Sequence, residues 1–182
     1  WVRNAEASMF YTFDDNFFAT DFHIDMFVKT LFGEDDVEKF KEHHKGKIHR
    51  VGWPMEYLDG ILEGYANKLK KNRILFPHRL APEKQLDIFK DLAKHMPDVE
   101  FIVCQEKSLT KKEYHDLLGS SKIVFSANTQ ETLGISCYEG ALVGAMPMVP
   151  DRLSYTEMYP AEAKYPSEWT ENWDSYVKNR KS

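Results

Sequence analysis

Two glutamates, Glu131 and Glu139, stand eight positions apart in the sequence on either side of Gly134. An apolar run at 123–126 precedes them and small apolar residues follow, which predicts a strand, a loop and a helix. In an open α/β sheet, anionic and polyhydroxylated ligands bind at such a loop. One carboxylate on the loop and one about two turns into the helix can face the same ligand. Because the dipole at a helix start also favours carboxylates, a purely structural role stays open on this motif alone.

A second polar turn, about fifty residues earlier, also follows a predicted strand. It contains His78, Arg79 and Lys84 and leads into an amphipathic helix pattern. Arginine binds phosphate through a planar fork and lysine as a point charge, and a helix start adds backbone N–H donors. The turn therefore predicts a diphosphate site, with two solvated surface cations as the alternative interpretation of Arg79 and Lys84.

The elements that must position these motifs follow a regular alternation from residue 73 onward. The runs of strand length lie at 74–76, 99–104, 123–126 and 146–149, and amphipathic stretches of helix length separate them. Thr110 is a candidate N-cap for one of these helices. The alternation predicts an α/β fold with a Rossmann-like parallel sheet and helices on both faces.

The first third of the chain has a less regular pattern. An apolar run at 8–13 predicts a strand, Asp21 is a plausible N-cap of a helix, and 47–51 predicts another short strand. A helical stripe follows, formed by Leu58, Leu62, Tyr65 and Leu69.

The composition is that of an ordinary globular chain. Hydrophobic residues make up 42% and charged residues 29% of the 182 positions, enough for one good core or a domain with part of another. The net charge of −5 argues against a nucleic-acid-binding platform. The two cysteines, Cys104 and Cys137, lack metal-ligand spacing, and we expect reduced thiols in a cytoplasmic protein. No apolar run reaches membrane-spanning length, and neither a signal peptide nor a metal site is predicted.

In their order along the chain, these motifs resemble a family signature: a G-R-L-x-x-x-K turn, a strand with serine, glutamate and glycine, a second glutamate, and a small-residue helix ending G-x-P. The matching residues are His78-Arg79-Leu80 with Lys84, then Ser126, Glu131, Gly134 and Glu139, and finally Gly144-Ala145-Met146-Pro147. Residues 73–160 thereby resemble the C-terminal, donor-binding domain of retaining glycosyltransferases of the GT-B fold. These are the group 1, or family 4, enzymes, which include glycogen-synthase-like enzymes and mannosyltransferases. The segment 150–160 also resembles the variant group that modifies queuosine in tRNA.

The resemblance implies a nucleotide-diphosphate sugar as the donor substrate, transfer with retention of the anomeric configuration, and no metal or other cofactor. It implies that Arg79 and Lys84 hold the diphosphate and that Glu139 binds the ribose hydroxyls. Glu131 is implied to contact sugar hydroxyls, so that Arg79, Lys84 and Glu131 form the implied catalytic set.

Further donor-site positions implied by the resemblance are His78, Thr132, Leu133, Gly134 and Ile135. Three of these positions depart from the family pattern. His78 stands where the family has glycine, and Thr132-Leu133 replaces the commoner glycine–aromatic pair. The bulkier residue at position 78 is expected either to contact the donor or to narrow its pocket.

The resemblance also divides the chain into three parts. Residues 1–54 are expected to be the remnant of an N-terminal domain and its linker, 55–162 the nucleotide-sugar-binding domain, and 163–182 a tail with a helix around 173–178. The implied partner is an upstream Rossmann domain that carries the acceptor site. The base, the sugar and the acceptor stay open. The rival interpretations are a non-catalytic nucleotide- or sugar-binding module of the same fold, and a sugar-nucleotide epimerase.

Overall fold

The computed structural model describes residues 2–33 and 36–175. The chain divides into two compact units, Trp1–Pro54 and Met55–Ser182. Elements of the first unit are α1 (Val2–Thr12), β1 (Asn16–Phe18), α2 (Asp21–Phe32), α3 (Val37–His43) and β2 (Ile48–Arg50). The two strands of this unit pair in parallel, with Phe17 opposite His49.

The strand predicted at 8–13 is wrong, because residues 8–12 form the end of α1. Phe10 is buried at 1% exposure, while its neighbours Met9 and Tyr11 are more than half exposed. A run of consecutive apolar and aromatic residues has no clear period, so it cannot separate a strand from a helix. The upstream Ala5-Glu6-Ala7 favours the helix, which continues through the run.

The helix predicted from Asp21 is present, but its N-cap lies one residue earlier. The Thr20 side chain accepts a hydrogen bond from the backbone N–H of His23 at 3.0 Å. Asp21 is then the first helical residue, where its charge favours the helix dipole. The buried side chains of α2 are Ile24 and Val28, which stand four positions apart on one face.

Helices and strands alternate through the second unit. Its elements are α4 (Tyr57–Leu62), β3 (Lys71–Phe76), α5 (Leu86–His95), β4 (Glu100–Val103), α6 (Lys111–Ser120), β5 (Ser121–Phe125), α7 (Ile135–Leu142), β6 (Met146–Pro150), α8 (Tyr155–Met158), β7 (Lys164–Tyr165) and α9 (Glu168–Glu171). Short 3₁₀ turns lie at Glu63–Tyr65, Pro82–Lys84, Cys104–Glu106 and Ala161–Ala163. Thr110 caps α6 as predicted, in a reciprocal capping box with Glu113.

The five strands β3 to β7 form one parallel sheet in the order β4-β3-β5-β6-β7. Successive side chains of β3 point to opposite faces, and both faces are covered by helices. Leu75 packs with residues of α4, α6 and α7 on one face, whereas Ile74 and Phe76 pack with α5 on the other. The Rossmann-like α/β fold with helices on both faces is therefore confirmed.

The order of the strands creates a switch point between β3 and β5. From β3 the chain runs to β4 on one side, then crosses back to β5 on the other side and continues to β6. Loops that leave the carboxyl ends of two such neighbouring strands diverge and leave a crevice between them. The turn with His78 follows β3, and the loop with Glu131 follows β5, so the two sequence motifs meet at this crevice.

The helical stripe of α4 ends earlier than predicted. Leu58 and Leu62 are buried, but Leu69 is 89% exposed and lies in the non-helical connection to β3. The 3₁₀ turn that contains Gly64 interrupts the helical period, since glycine weakens a helix and the chain must turn into the sheet. The prediction of a helix through Leu69 is therefore wrong.

The segment after residue 162 contributes to the sheet and to its packing. Tyr165 belongs to β7, and Trp173 packs against the face covered by α5 and donates its indole N–H to Asp91 at 3.0 Å. Of the helix predicted around 173–178, residues 173–175 are helical, and the rest lies outside the described residues. Cys104 and Cys137 are buried free thiols. Within residues 2–33 and 36–175, no helix has the length and apolarity of a membrane span.

Helix α7 approaches the sheet closely because Gly140 faces β5. A Cβ atom at position 140 would lie 2.6 Å from a methyl group of Val124, closer than packed atoms approach. We expect Gly140→Ala to destabilise the second unit by about 1–3 kcal/mol through overpacking. Urea unfolding followed by NMR at the β5 amides measures this change.

The matched control is Gly60→Ala in α4, where an added Cβ meets no atom within 4 Å. There the substitution should raise stability by up to about 1 kcal/mol, because alanine favours the helix. Equal effects at positions 60 and 140 would contradict the close approach of α7 to the sheet.

Candidate functional site

The loops after β3 and β5 are joined by hydrogen bonds at the switch point of the sheet. The backbone N–H of Thr129 donates to the carbonyl oxygen of Glu83 at 2.8 Å. Lys84 reaches across in the opposite direction, and its Nζ donates to the carbonyl oxygen of Gln130 at 2.8 Å. Two segments almost fifty residues apart in sequence thus form one polar surface.

Lys84 and Glu131, both predicted site residues, form an ion pair in this surface. Lys84 Nζ lies 3.1 Å from Glu131 Oε2, and the two side chains are 10% and 19% exposed. Burial raises the pKa of Glu131, but the charge and hydrogen bond of Lys84, together with two backbone N–H groups, outweigh it and hold the pKa below its usual value. The Glu131 carboxylate therefore stays ionised at neutral pH.

Glu131 has more donors around it than Lys84 alone. Its Oε2 atom also accepts a hydrogen bond from Asn128 Nδ2 at 2.9 Å, and its Oε1 atom accepts one from the Thr132 N–H at 3.1 Å. The backbone N–H of Gly134 lies on the same loop and helps to lower the pKa of this carboxylate. The loop after β5 therefore folds around the negative charge of the Glu131 carboxylate, which its polar groups bind.

A buried polar network supports Glu131, and two of its members, Asn128 and Tyr155, were not among the predicted site residues. Asn128 Nδ2 also donates to the hydroxyl of Tyr155 at 3.0 Å, and that hydroxyl lies 3.0 Å from Ser126 Oγ. All three residues are fully buried. The signal for Asn128 was its place directly after the third strand run, but nothing local to Tyr155 indicates that it reaches this strand end.

Arg152 was also missed as a site residue, although it lies in the segment that resembles the queuosine group. Its guanidinium donates to the carbonyl oxygens of Ala127 and Asn128, both at 2.7 Å. Other donors of the same group reach the side chains of Ser167 and Thr170. Arg152 thus ties the loop after β5 to the segment that follows β7.

Gly134 has the backbone geometry that the loop requires. Its φ of 69° is left-handed, which glycine adopts without strain, and it is the N-cap residue of α7. A Cβ atom at this position would lie 2.5 Å from the ring of Tyr155. The glycine therefore lets α7 start directly beside Glu131, with its first N–H groups at the polar surface.

The predicted residues next to Gly134 line the start of α7. Thr132 is exposed, while Leu133 and Ile135 are half-buried on either side of the glycine. Thr132 takes part through its backbone N–H, which donates to Glu131.

His78 lies beneath the polar surface at 4% exposure. Its Nε2 atom is 3.1 Å from the carbonyl oxygen of Phe125, so this nitrogen carries the proton and donates. Burial, with a smaller contribution from the charge of Lys84, lowers the pKa of His78 from 6.5 to about 4. The imidazole is therefore neutral at pH 7 and links the carboxyl ends of β3 and β5.

Arg79 and Glu139, the two other predicted charged residues, make different contacts. The exposed Arg79 guanidinium pairs with Glu83 on its own turn. Glu139 Oε2 accepts a hydrogen bond from the Tyr114 hydroxyl at 3.0 Å, which connects α7 to α6. The structure thus brings Lys84 and Glu131 together, whereas Arg79 and Glu139 are held by other partners. Over the described ranges of the chain, no group of three His, Cys, Asp or Glu side chains is arranged to hold a metal ion.

The comparisons with known proteins point in one direction. No known protein-family model matches the chain. The chain is similar to the tRNA-queuosine alpha-mannosyltransferase of Drosophila melanogaster, with 27% identity over an alignment of 119 residues. The alignment covers 50% of this chain and 32% of that protein, so the chain spans about a third of the length of this relative. This distant similarity supports a glycosyltransferase in general.

The buried neutral His78 makes stability depend on pH. Because its folded pKa of about 4 lies below the unfolded value of 6.5, the unfolded state binds more protons between these two pH values. Its contribution to stability is complete above pH 6.5 and is lost as the pH falls towards 4. The His78→Gln variant keeps a donor for the carbonyl oxygen of Phe125 but has no imidazole to protonate. When the pH falls from 7.5 to 4, we expect its free energy of unfolding to decrease by about 3 kcal/mol less than that of the wild type.

Urea unfolding at a series of pH values, followed at the β3 and β5 amides, measures this difference. The exposed His95→Gln variant of the same unit serves as the control and should follow the wild-type curve. If His78→Gln has the same pH dependence as the wild type, His78 is not buried in its neutral form.

Proposed function

We propose that this chain is the donor-binding part of a retaining glycosyltransferase of the GT-B fold, which takes a nucleotide-diphosphate sugar. The observation that carries the proposal is the buried Lys84 ammonium, held by Glu131 at 3.1 Å at the switch point of the sheet. Ligands of open α/β sheets bind at this position. The distant similarity to a mannosyltransferase supports the same class of reaction.

The electrostatics of the site suit an anionic leaving group. When the bond between the sugar and the phosphate breaks, negative charge develops on the departing diphosphate. Lys84, the exposed Arg79 and the N–H groups at the start of α7 are positive groups on the loops that flank one crevice. In this proposal they stabilise the diphosphate without a metal ion.

The two glutamates do not form the acid–base pair of a glycoside hydrolase in this proposal. Such a pair requires two carboxyl groups that flank the bond to be cleaved. Here Glu131 is occupied by Lys84 and the loop, and Glu139 is held by Tyr114. We assign Glu139 to the ribose hydroxyls, with His78 and the 132–135 segment around the donor.

The acceptor site belongs, in this proposal, to an upstream Rossmann domain that the first unit joins to the donor domain. Residues 1–54 then represent the end of that domain and the linker, residues 55–162 the donor domain and residues 163–182 its tail. We also propose a cytoplasmic location, supported by two free and buried thiols.

The first test is calorimetric binding of UDP-, GDP- and ADP-sugars, of the free diphosphates and of the nucleosides. We expect at least one diphosphate to bind, and we expect Arg79→Gln to weaken diphosphate binding by several-fold without a change in nucleoside binding, because Arg79 contacts only phosphate. The control is Lys111→Met, which removes an exposed cation of the same unit and should leave both affinities unchanged.

The outcomes separate the rival interpretations. If no nucleotide or sugar nucleotide binds, the proposal of a donor site is wrong. If the full-length protein binds a sugar nucleotide and returns an epimerised sugar, the protein is an epimerase. Binding without transfer or release of the sugar by the full-length protein would indicate a non-catalytic module.

A second test concerns Glu139. We expect Glu139→Gln to lower the preference for a ribonucleoside diphosphate over its 2′-deoxy and 3′-deoxy analogues by about tenfold, because a hydrogen bond to a charged group is lost. Tyr114→Phe, which removes the hydroxyl that orients Glu139, should lower the same preference by a smaller factor. Competition binding with the three nucleotides measures it. An unchanged preference in Glu139→Gln would remove Glu139 from the ribose site.

A further inference from the structure

Strand β4 forms one edge of the five-stranded sheet, and no strand of the described residues pairs with its outer side. It spans Glu100–Val103, and its pairing with β3 keeps a regular register without a bulge. A free strand edge presents unpaired backbone N–H and C=O groups, which readily pair with a strand of another chain. Proteins usually protect such an edge with proline, lysine, a bulge or a very short strand.

The opposite edge of the sheet is protected in this way, whereas β4 is not. Strand β7 consists only of Lys164 and Tyr165, and Pro166 follows it directly. Where β7 does not cover β6, Pro147 lies in the strand and has no N–H to offer. In contrast, β4 has the sequence Glu-Phe-Ile-Val, which contains neither proline nor lysine and favours an extended strand. The edge at β4 is therefore a surface that a further strand can join.

An apolar groove of about 460 Å³ lies beside this edge. Phe89 and Ala93 of α5 line it together with Phe101 and Val103 of β4. The rings of Phe89 and Phe101 meet edge to face, with their centroids 5.1 Å apart. Ala93 and Phe101 are half-buried, so part of this apolar surface is open to solvent. A partner that pairs with β4 also covers this surface, and its burial stabilises the complex.

The charges at the two ends of β4 indicate which partner fits. Two ion pairs are closed within the chain at 2.7 Å each, Arg73 with Glu100 and Lys90 with Glu106. Two exposed charges remain, Asp98 before the strand and Lys107 after it, and neither has an ion-pair partner among the described residues. The edge is therefore acidic at its amino end and basic at its carboxyl end. An antiparallel strand of the same sequence places opposite charges together at both ends.

We propose that this edge is the interface between two copies of the chain, which pair through β4 in an antiparallel arrangement. A two-fold axis perpendicular to the sheet relates the copies, so both contribute the same surface. This axis keeps the α5 helices of both copies on one face of the joined sheet, where the two apolar grooves meet. Asp98 of each copy then lies close to Lys107 of the other. Because the interface is small, we expect a dimer with a Kd in the micromolar range.

Sedimentation velocity of the full chain over a range of concentrations, with charge-reversed variants, tests the proposal. Asp98→Lys and Lys107→Asp each place like charges together at both ends of the interface and should raise the Kd of the dimer about tenfold. The double variant, Asp98→Lys with Lys107→Asp, restores opposite charges and should return the Kd to that of the wild type. The control is Glu162→Lys, which reverses an exposed charge next to β7 at the opposite edge and should leave the Kd unchanged.

A wild type that stays monomeric at millimolar concentration would overturn the proposal, and so would a dimer that the single variants do not weaken or that the double variant does not restore. NMR of the wild type gives a second readout that depends on no substitution. We expect the backbone amide signals of β4 to change with protein concentration and those of β7 to stay constant. Changes confined to another surface would contradict pairing through β4. No nucleotide is needed in these measurements, so their outcome is independent of the proposed donor site.

Discussion

The candidate site of the second unit depends on one ion pair, in which the buried charges of Lys84 and Glu131 neutralise each other. The two residues come from loops after different strands, and the pair is possible only when β3 and β5 lie side by side. Removing one member of a buried pair typically costs about 3–5 kcal/mol. Each residue is therefore required as long as the other is present, and the ion pair between them holds the two loops together.

Two close steric contacts fix the position of α7 beside the ion pair of Lys84 and Glu131. Gly134 lets α7 begin against the Tyr155 ring, and Gly140 lets the same helix pack on Val124. Because α7 is held at both points, its N–H groups and Glu131 stay next to each other. Arg152 extends this rigid region to Ser167 and Thr170, so the segment after the last strand supports the site although it lies outside the sequence motifs.

A chain with a net charge of −5 can still carry a local group of positive side chains, as the proposed anion site requires. The charge at the carboxyl ends of β3 and β5 is set by the loops there, and the overall charge of the chain has little influence at this short range. The neutral His78 adds no charge to the site, because burial and the charge of Lys84 lower its pKa to about 4. The proposed stabilisation of a diphosphate leaving group rests on this fixed ammonium group beside a helix start.

The sequence by itself determined the α/β alternation, the capped helix at Thr110 and the two polar loops, because these features depend on local period, capping and turn chemistry. It did not determine whether the run at 8–13 is a helix, where the stripe after Leu62 ends, or which atoms meet Glu131. Those outcomes depend on contacts between residues far apart in sequence. Only the tertiary structure, by placing β5 next to β3, decided that Asn128, Tyr155 and Arg152 support the pair and that Glu131 faces Lys84. Sequence spacing had paired Glu131 with Glu139 around Gly134, whereas the folded chain gives each glutamate a separate partner because the sheet order, and not distance along the chain, decides which side chains are neighbours.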